Sequence, residues 1–91
     1  MATEQGHGRP RLAPGYRMQW EQAQNCHVLL YPEGMVKLNG SAHEILSRCD
    51  GDHAAGDIVA ELRSAFPGVV LNDEVDAFLR LAIERGWLVL Q

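Results

Sequence analysis

MVKLNGSAHEILSRC, residues 35–49, changes its hydrophobic period partway along. The first four residues, MVKL, read as a short strand. From Asn39 onward the apolar residues fall at Ala42, Ile45, Leu46 and Cys49. That i, i+3, i+4, i+7 spacing covers one face of a helix. Asn39 or Ser41 can start the helix by accepting a backbone N–H bond. The boundary therefore divides the chain into a strand half and a helix half.

Upstream, residues 16–21, YRMQWE, alternate, with Tyr16, Met18 and Trp20 on one side of a half-buried strand. Residues 26–31, CHVLLY, are more fully apolar and suit a central strand. Pro32-Glu33-Gly34 is a turn signal, so this run and MVKL should pair as a hairpin. Residues 9–15, RPRLAPG, hold two prolines and should be extended. Residues 1–8 are polar and glycine-rich and read as a flexible tail, leaving 9–91 as one domain.

Downstream, Asp50-Gly51 can end the first helix. Ile58, Val59, Leu62 and Phe66 mark one face of a second helix, which Pro67-Gly68 stops. Residues 69–71 read as an extended link. A third helix starts at Asn72, with Asp73, Glu74 and Asp76 in its first turn, where negative charge meets the positive end of the helix dipole. Its core face is Val75, Phe78, Leu79, Ala82 and Ile83, and Arg85-Gly86 ends it. Residues 87–90, WLVL, form a strand or a docked extended segment. Strands followed by helices imply an α+β fold. The expected architecture is winged-helix-like, a small three-stranded antiparallel sheet followed by a three-helix bundle.

With 91 residues the chain suits a single core. An apolar share of 46% is that of a globular protein. The net charge of −4 disfavours phosphate backbones. The expected third helix sharpens that point, because Asp73, Glu74, Asp76 and Glu84 outnumber Arg80 and Arg85 on the element that would enter a groove. No nucleic-acid partner is expected. Neither a signal-type apolar region nor a run long enough for a membrane span is present. Cys26 and Cys49 form no CxxC pair or disulfide framework, which points to a reducing cytoplasm.

Residues 47–53, SRCDGDH, gather a thiol, two carboxylates and an imidazole. Each has a structural role. Cys49 lies on the apolar helix face, Asp50 and Asp52 suit an interhelix turn, and His53 opens the second helix. Cys26, His27, His43, Cys49 and His53 match no zinc spacing, and His43 falls on the polar side of its helix. No GxSxG, phosphate loop or HExxH occurs. No catalytic residue, metal or cofactor is expected.

What remains is apolar surface and an edge. Ala77 and Leu81 lie off the core face of the third helix. MVKL has no partner on its far side, and an unpaired edge is a template for another strand. Either residues 87–90 cover the groove there, or an extended peptide adds between MVKL and the third helix, taking affinity from backbone hydrogen bonds.

The stretches RPRLAPGYRMQW at 9–20 and VLLYPEGMVKLN at 28–39 are followed by LNxxAxxIL, filled by Leu38, Asn39, Ala42, Ile45 and Leu46. CDG at 49–51, IVxxL at 58–62 and ERGWL at 84–88 complete the series. In that order and spacing the chain resembles the pyrroloquinoline quinone biosynthesis protein D family, PqqD. The resemblance implies a non-catalytic chaperone that binds the precursor peptide PqqA. It would present PqqA to PqqE, a radical S-adenosylmethionine enzyme that carries the iron–sulfur chemistry itself. It also implies that the peptide docks as a strand along Met35, Val36, Lys37, Leu38 and Asn39, in a groove lined by Val75, Phe78, Leu79 and Ala82. Arg9 and Arg11 are candidates for the contact with PqqE. Strand exchange between two copies offers a route to a homodimer. Related peptide-recognition domains serving other modification enzymes share part of the pattern. This chain departs from its relatives at Ala54-Ala55-Gly56, where a Thr or Ser cap is usual, and the second helix should fray up to Asp57.

Overall fold

The change of period at Asn39 is a change of element in the computed structural model, which describes residues 8–68 and 72–91. Residues 1–7 of the tail expected at 1–8, and the link expected at 69–71, lie outside the described residues. Strand β1 (Pro10–Leu12) is followed by β2 (Arg17–Glu21), β3 (Cys26–Tyr31) and β4 (Gly34–Lys37). Helices α1 (Gly40–Ser47), α2 (Ala55–Ala65) and α3 (Asn72–Glu84) follow, and β5 (Leu88–Leu90) closes the chain. The fold is α+β, with β2-β3-β4 as a three-stranded antiparallel sheet.

CHVLLY is the central strand because its apolar residues need cover on both sides. Leu29 lies opposite Met18 on β2 and Val36 on β4. It belongs to a single buried cluster with Leu38, Ile45, Leu46, Ile58, Leu62, Val75, Leu79 and Leu88. Burying one such side chain stabilises the fold by about 1.5–3 kcal/mol. The β3–β4 hairpin turns through Pro32 and Glu33, with Tyr31 opposite Gly34.

Asn39 caps α1, its side chain accepting from the Ala42 N–H at 2.8 Å. Helix α3 ends with Gly86 at φ +83°, a left-handed conformation in which an L side chain would be strained. The Gly86 N–H bonds to the Ile83 carbonyl, and the Trp87 N–H to the Ala82 carbonyl. This Schellman closure satisfies the last carbonyls of α3 and turns the chain back.

Several expectations are corrected. RPRLAPG is more than extended: β1 pairs antiparallel with β5, Arg11 opposite Val89. The other side of β1 is tied by the Arg11–Asp50 bridge and by the Gly51 N–H to the Pro10 carbonyl. Residues 87–90 are thereby engaged with β1 and do not cover the β4 edge. Helix α2 starts at Ala55, not His53, with Ala54 as its cap residue. Alanine has no side-chain oxygen, so capping runs one way only, the Asp57 carboxylate accepting from the Ala54 N–H at 3.0 Å. Ile83 is 38% exposed rather than core. Trp20, on the core side of β2, is exposed because β2 is an edge strand and Trp20 lies at its far end.

Candidate functional site

The densest polar cluster is SRCDGDH, and the structure makes it a fastening. Asp50 Oδ1 accepts from the Asp52 N–H and meets His53 Nδ1, each at 2.9 Å. His53 Nε2 reaches Glu61 on α2 at 2.6 Å. Arg48 joins Glu61 at 3.2 Å and Glu44 at 2.9 Å. One chain of charges thus links α1, the turn and α2. The bonds to Asp50 and Glu61 raise the His53 pKa, and the bond from His53 lowers that of Asp50. Burial, with Asp50 nearby, pushes the Cys49 thiol up to about 12. Its Sγ donates to the Ile45 carbonyl at 3.3 Å. A thiol in that state is no nucleophile near neutral pH.

Periodicity predicts a solvated His43. Instead it is half-buried, because His27 projects from the core face of β3 onto α1. The rings stack with centroids 3.6 Å apart and planes 10° apart. Burial, then the His27 charge, lowers the His43 pKa. Ring nitrogens lie in the ring planes, so stacked imidazoles do not aim lone pairs at a shared ion. Among the described residues no three His, Cys, Asp or Glu side chains gather as a metal-holding group.

The edge of β4 is the second feature. The Leu38 N–H donates to the His27 carbonyl at 2.9 Å, and Val36 lies opposite Leu29. In an antiparallel ladder, backbone groups of alternate residues face the partner strand. Gly34, Val36 and Leu38 therefore turn their N–H and C=O groups toward β3. Those of Met35 and Lys37 point the other way, and no strand among the described residues pairs with them.

The third feature is a cleft of about 710 Å³ that begins where β4 ends. Asn39, Gly40 and Ser41 form one wall, Phe66 another, and Glu74, Phe78 and Leu81 of α3 a third. Ala42, Ile45 and Leu62 form its apolar base and Glu44 lies at its side. Phe66 and Leu81 are 40% and 39% exposed. Two large apolar side chains thus stand open around one depression. A Cβ on Gly40 would meet nothing within 4 Å, so the space beside it is open.

The residues expected to form the site divide. Met35, Val36, Lys37 and Asn39 lie on the edge or at its junction with the cleft, and Phe78 lines the cleft. Val75, Leu79 and Ala82 do not line it: they are 0%, 6% and 0% exposed and pack in the core, as does Leu38 at 6%. They back the groove as its support. Sequence reasoning missed Gly40, Phe66 and Glu74. Leu81 carried a signal, being apolar and off the core face. Arg9 and Arg11 lie away from the cleft, at β1. Arg9 exchanges backbone bonds with Gln91, and the Arg11 Nε is buried with no hydrogen-bond partner among the described residues.

Comparison with known proteins bears on this geometry. The family profile for Coenzyme PQQ synthesis protein D (PqqD) matches residues 26–88. The PqqA binding protein of Azotobacter vinelandii (strain DJ / ATCC BAA-1303) is 56% identical over 82 residues, 89% of each chain. That of Pseudomonas aeruginosa (strain UCBPP-PA14) is 53% identical over 83 residues, 90% of each chain. Among solved structures, the chain is similar to the solution NMR structure of the PqqD truncation of Methylobacterium extorquens PqqCD, described as a functional and stand-alone RiPP recognition element. The TM-score is 0.73 at 26% identity, covering 88% of this chain and 87% of that one.

Proposed function

The chain belongs to the PqqD family, and on that premise we propose that it is a non-catalytic peptide chaperone of pyrroloquinoline quinone biosynthesis. Its client is the precursor peptide PqqA, which the similar proteins are named for binding. PqqA adds as a strand along Met35–Asn39 and seats a side chain in the adjoining cleft.

The observation that carries this reading is the free edge of β4 meeting an apolar cleft. The outward N–H and C=O groups of Met35 and Lys37 offer an incoming strand four hydrogen bonds without displacing a native one. Phe66, Phe78 and Leu81 supply the pocket that alternate side chains of such a strand require. The bound peptide is then presented to PqqE, with Arg11 on β1 and Arg9 just before it as the contact, clear of the cleft. A homodimer formed by strand exchange would draw on the same β4 edge and would compete with peptide.

Titration of isotopically labelled protein with PqqA, followed by amide NMR shifts, tests the reading. Saturable changes centred on Met35–Asn39 and on Phe66, Phe78 and Leu81 are expected. No change at saturating peptide would overturn it.

A further inference from the structure

Resting on that reading of the cleft, we propose that Glu74 selects the peptide by charge: the segment that docks carries a Lys or Arg beside its apolar anchor. At about 100° of helical turn per residue, Glu74, Phe78 and Leu81 fall on one flank of α3. All three line the cleft. An apolar side chain held between Phe66, Phe78 and Leu81 therefore brings its neighbours in the peptide close to the Glu74 carboxylate.

The charges around the cleft are one-sided. Its lining includes two carboxylates, Glu44 and Glu74, and no cation. Glu44 is already matched, since Arg48 Nη1 holds its Oε1 at 2.9 Å. Among the described residues no cation lies within salt-bridge distance of Glu74. Asp73 adds negative charge on the first turn of α3, and the chain as a whole carries −4. A cationic neighbour meets complementary potential here, whereas an acidic one is repelled. Lys37, the cation of the β4 edge, does not line the cleft.

Glu74 is exposed, so the selectivity is a matter of a few-fold. A partly solvated pair of this kind changes affinity roughly two- to fivefold at low salt and less at high salt. The test uses the full chain and PqqA, together with PqqA variants in which each Lys and Arg is singly replaced by Glu. Glu74→Gln should weaken binding of wild-type PqqA, and Glu74→Lys should weaken it further. Glu74→Lys should also regain binding with one of the Lys/Arg→Glu peptides, the signature of a direct pair. Thermal melts check that both proteins fold, and Glu74→Gln answers the question alone if Glu74→Lys does not.

Unchanged affinity in Glu74→Gln, with no charge-swap rescue and no salt dependence, would overturn the charge proposal. Gly40→Leu separates that failure from failure of the binding reading. It fills open space in the cleft and should abolish binding whatever the role of Glu74. If Gly40→Leu binds PqqA normally, or the wild-type chain does not bind it, the cleft itself is misassigned and the charge proposal falls with it.

Discussion

Replacing Lys37 by proline removes one N–H from β4, and the ladder register says that this N–H points out. The fold should therefore tolerate the change: edge strands accept proline where its nitrogen faces solvent, and Val36 before it is already extended. Binding should not tolerate it. In strand addition the Lys37 N–H donates to a peptide carbonyl, which would instead face the pyrrolidine ring. Leaving one such group unsatisfied costs about 1–3 kcal/mol. At about 1.4 kcal/mol per tenfold, Kd for PqqA should rise roughly 5- to 150-fold. Lys37→Ala controls for the lost side chain, which lies opposite Val28, and should bind nearly as well as wild type. Val36→Pro is the converse control, because its N–H faces Leu29. That variant should lose stability before affinity can be measured. The assay is calorimetric or anisotropy titration with PqqA, alongside thermal melts. If folded Lys37→Pro binds within twofold of Lys37→Ala, the peptide does not hydrogen-bond to this edge and strand addition is refuted.

Other perturbations reach different parts of the structure. His53→Gln should lower stability in a pH-dependent way. The raised His53 pKa gives a contribution fully present below about 6.5, the unfolded value, and lost as pH rises through the folded value. The lowered Asp50 pKa gives one present above about 3.9 and lost as pH falls through the folded value. Urea melts should thus show the largest gap between wild type and variant between about pH 3.9 and about pH 6.5, closing as pH rises through the folded His53 value; a gap that widens at high pH would contradict the network. Leu62→Ala, at a residue 2% exposed, should cost about 2–5 kcal/mol in the same melts. Ala54→Ser supplies the oxygen missing from the α2 cap and should add about 1 kcal/mol. In the wild-type chain, hydrogen exchange should find Ala55 and Gly56 poorly protected compared with Ile58, and strong protection at both would remove the argument for fraying.

The sheet and helices were legible because the sequence states their periods twice, in the apolar residues and in the punctuation around them. Asn39, Pro32-Glu33-Gly34 and Arg85-Gly86 mark boundaries to within a residue or two. The β1–β5 ribbon was not legible. Three residues on each side carry no period, and their pairing depends on the turn at Gly86, which only the folded α3 sets in place. His43 was misread for a similar reason. Its helix face is polar by sequence, and only the register of β3 brings His27 over it.

The candidate site shows the same division between what a period can state and what it cannot. An unpaired edge can be read from strand order, since three strands in a meander leave two edges and residues 87–90 could cover only one. The cleft cannot be read that way, because its walls come from the start of α1, the end of α2 and one flank of α3. Helical spacing finds the centre of the α3 stripe, Val75, Leu79 and Ala82, and for that reason assigns them to whatever the helix faces. The centre of a buried stripe packs on the core, so a ligand meets the flanks. On one flank stand Glu74, Phe78 and Leu81. On the other stand Asp76, Arg80 and Ile83, beside a smaller depression of about 280 Å³ that Leu90 also lines. A helix that serves both core and ligand must place its recognition residues about 60–120° from the hydrophobic centre. Substitutions at Glu74 and Leu81, the exposed residues of the flank that lines the cleft, should alter binding with little effect on stability, whereas Val75→Ala or Leu79→Ala should alter binding only by loosening the fold.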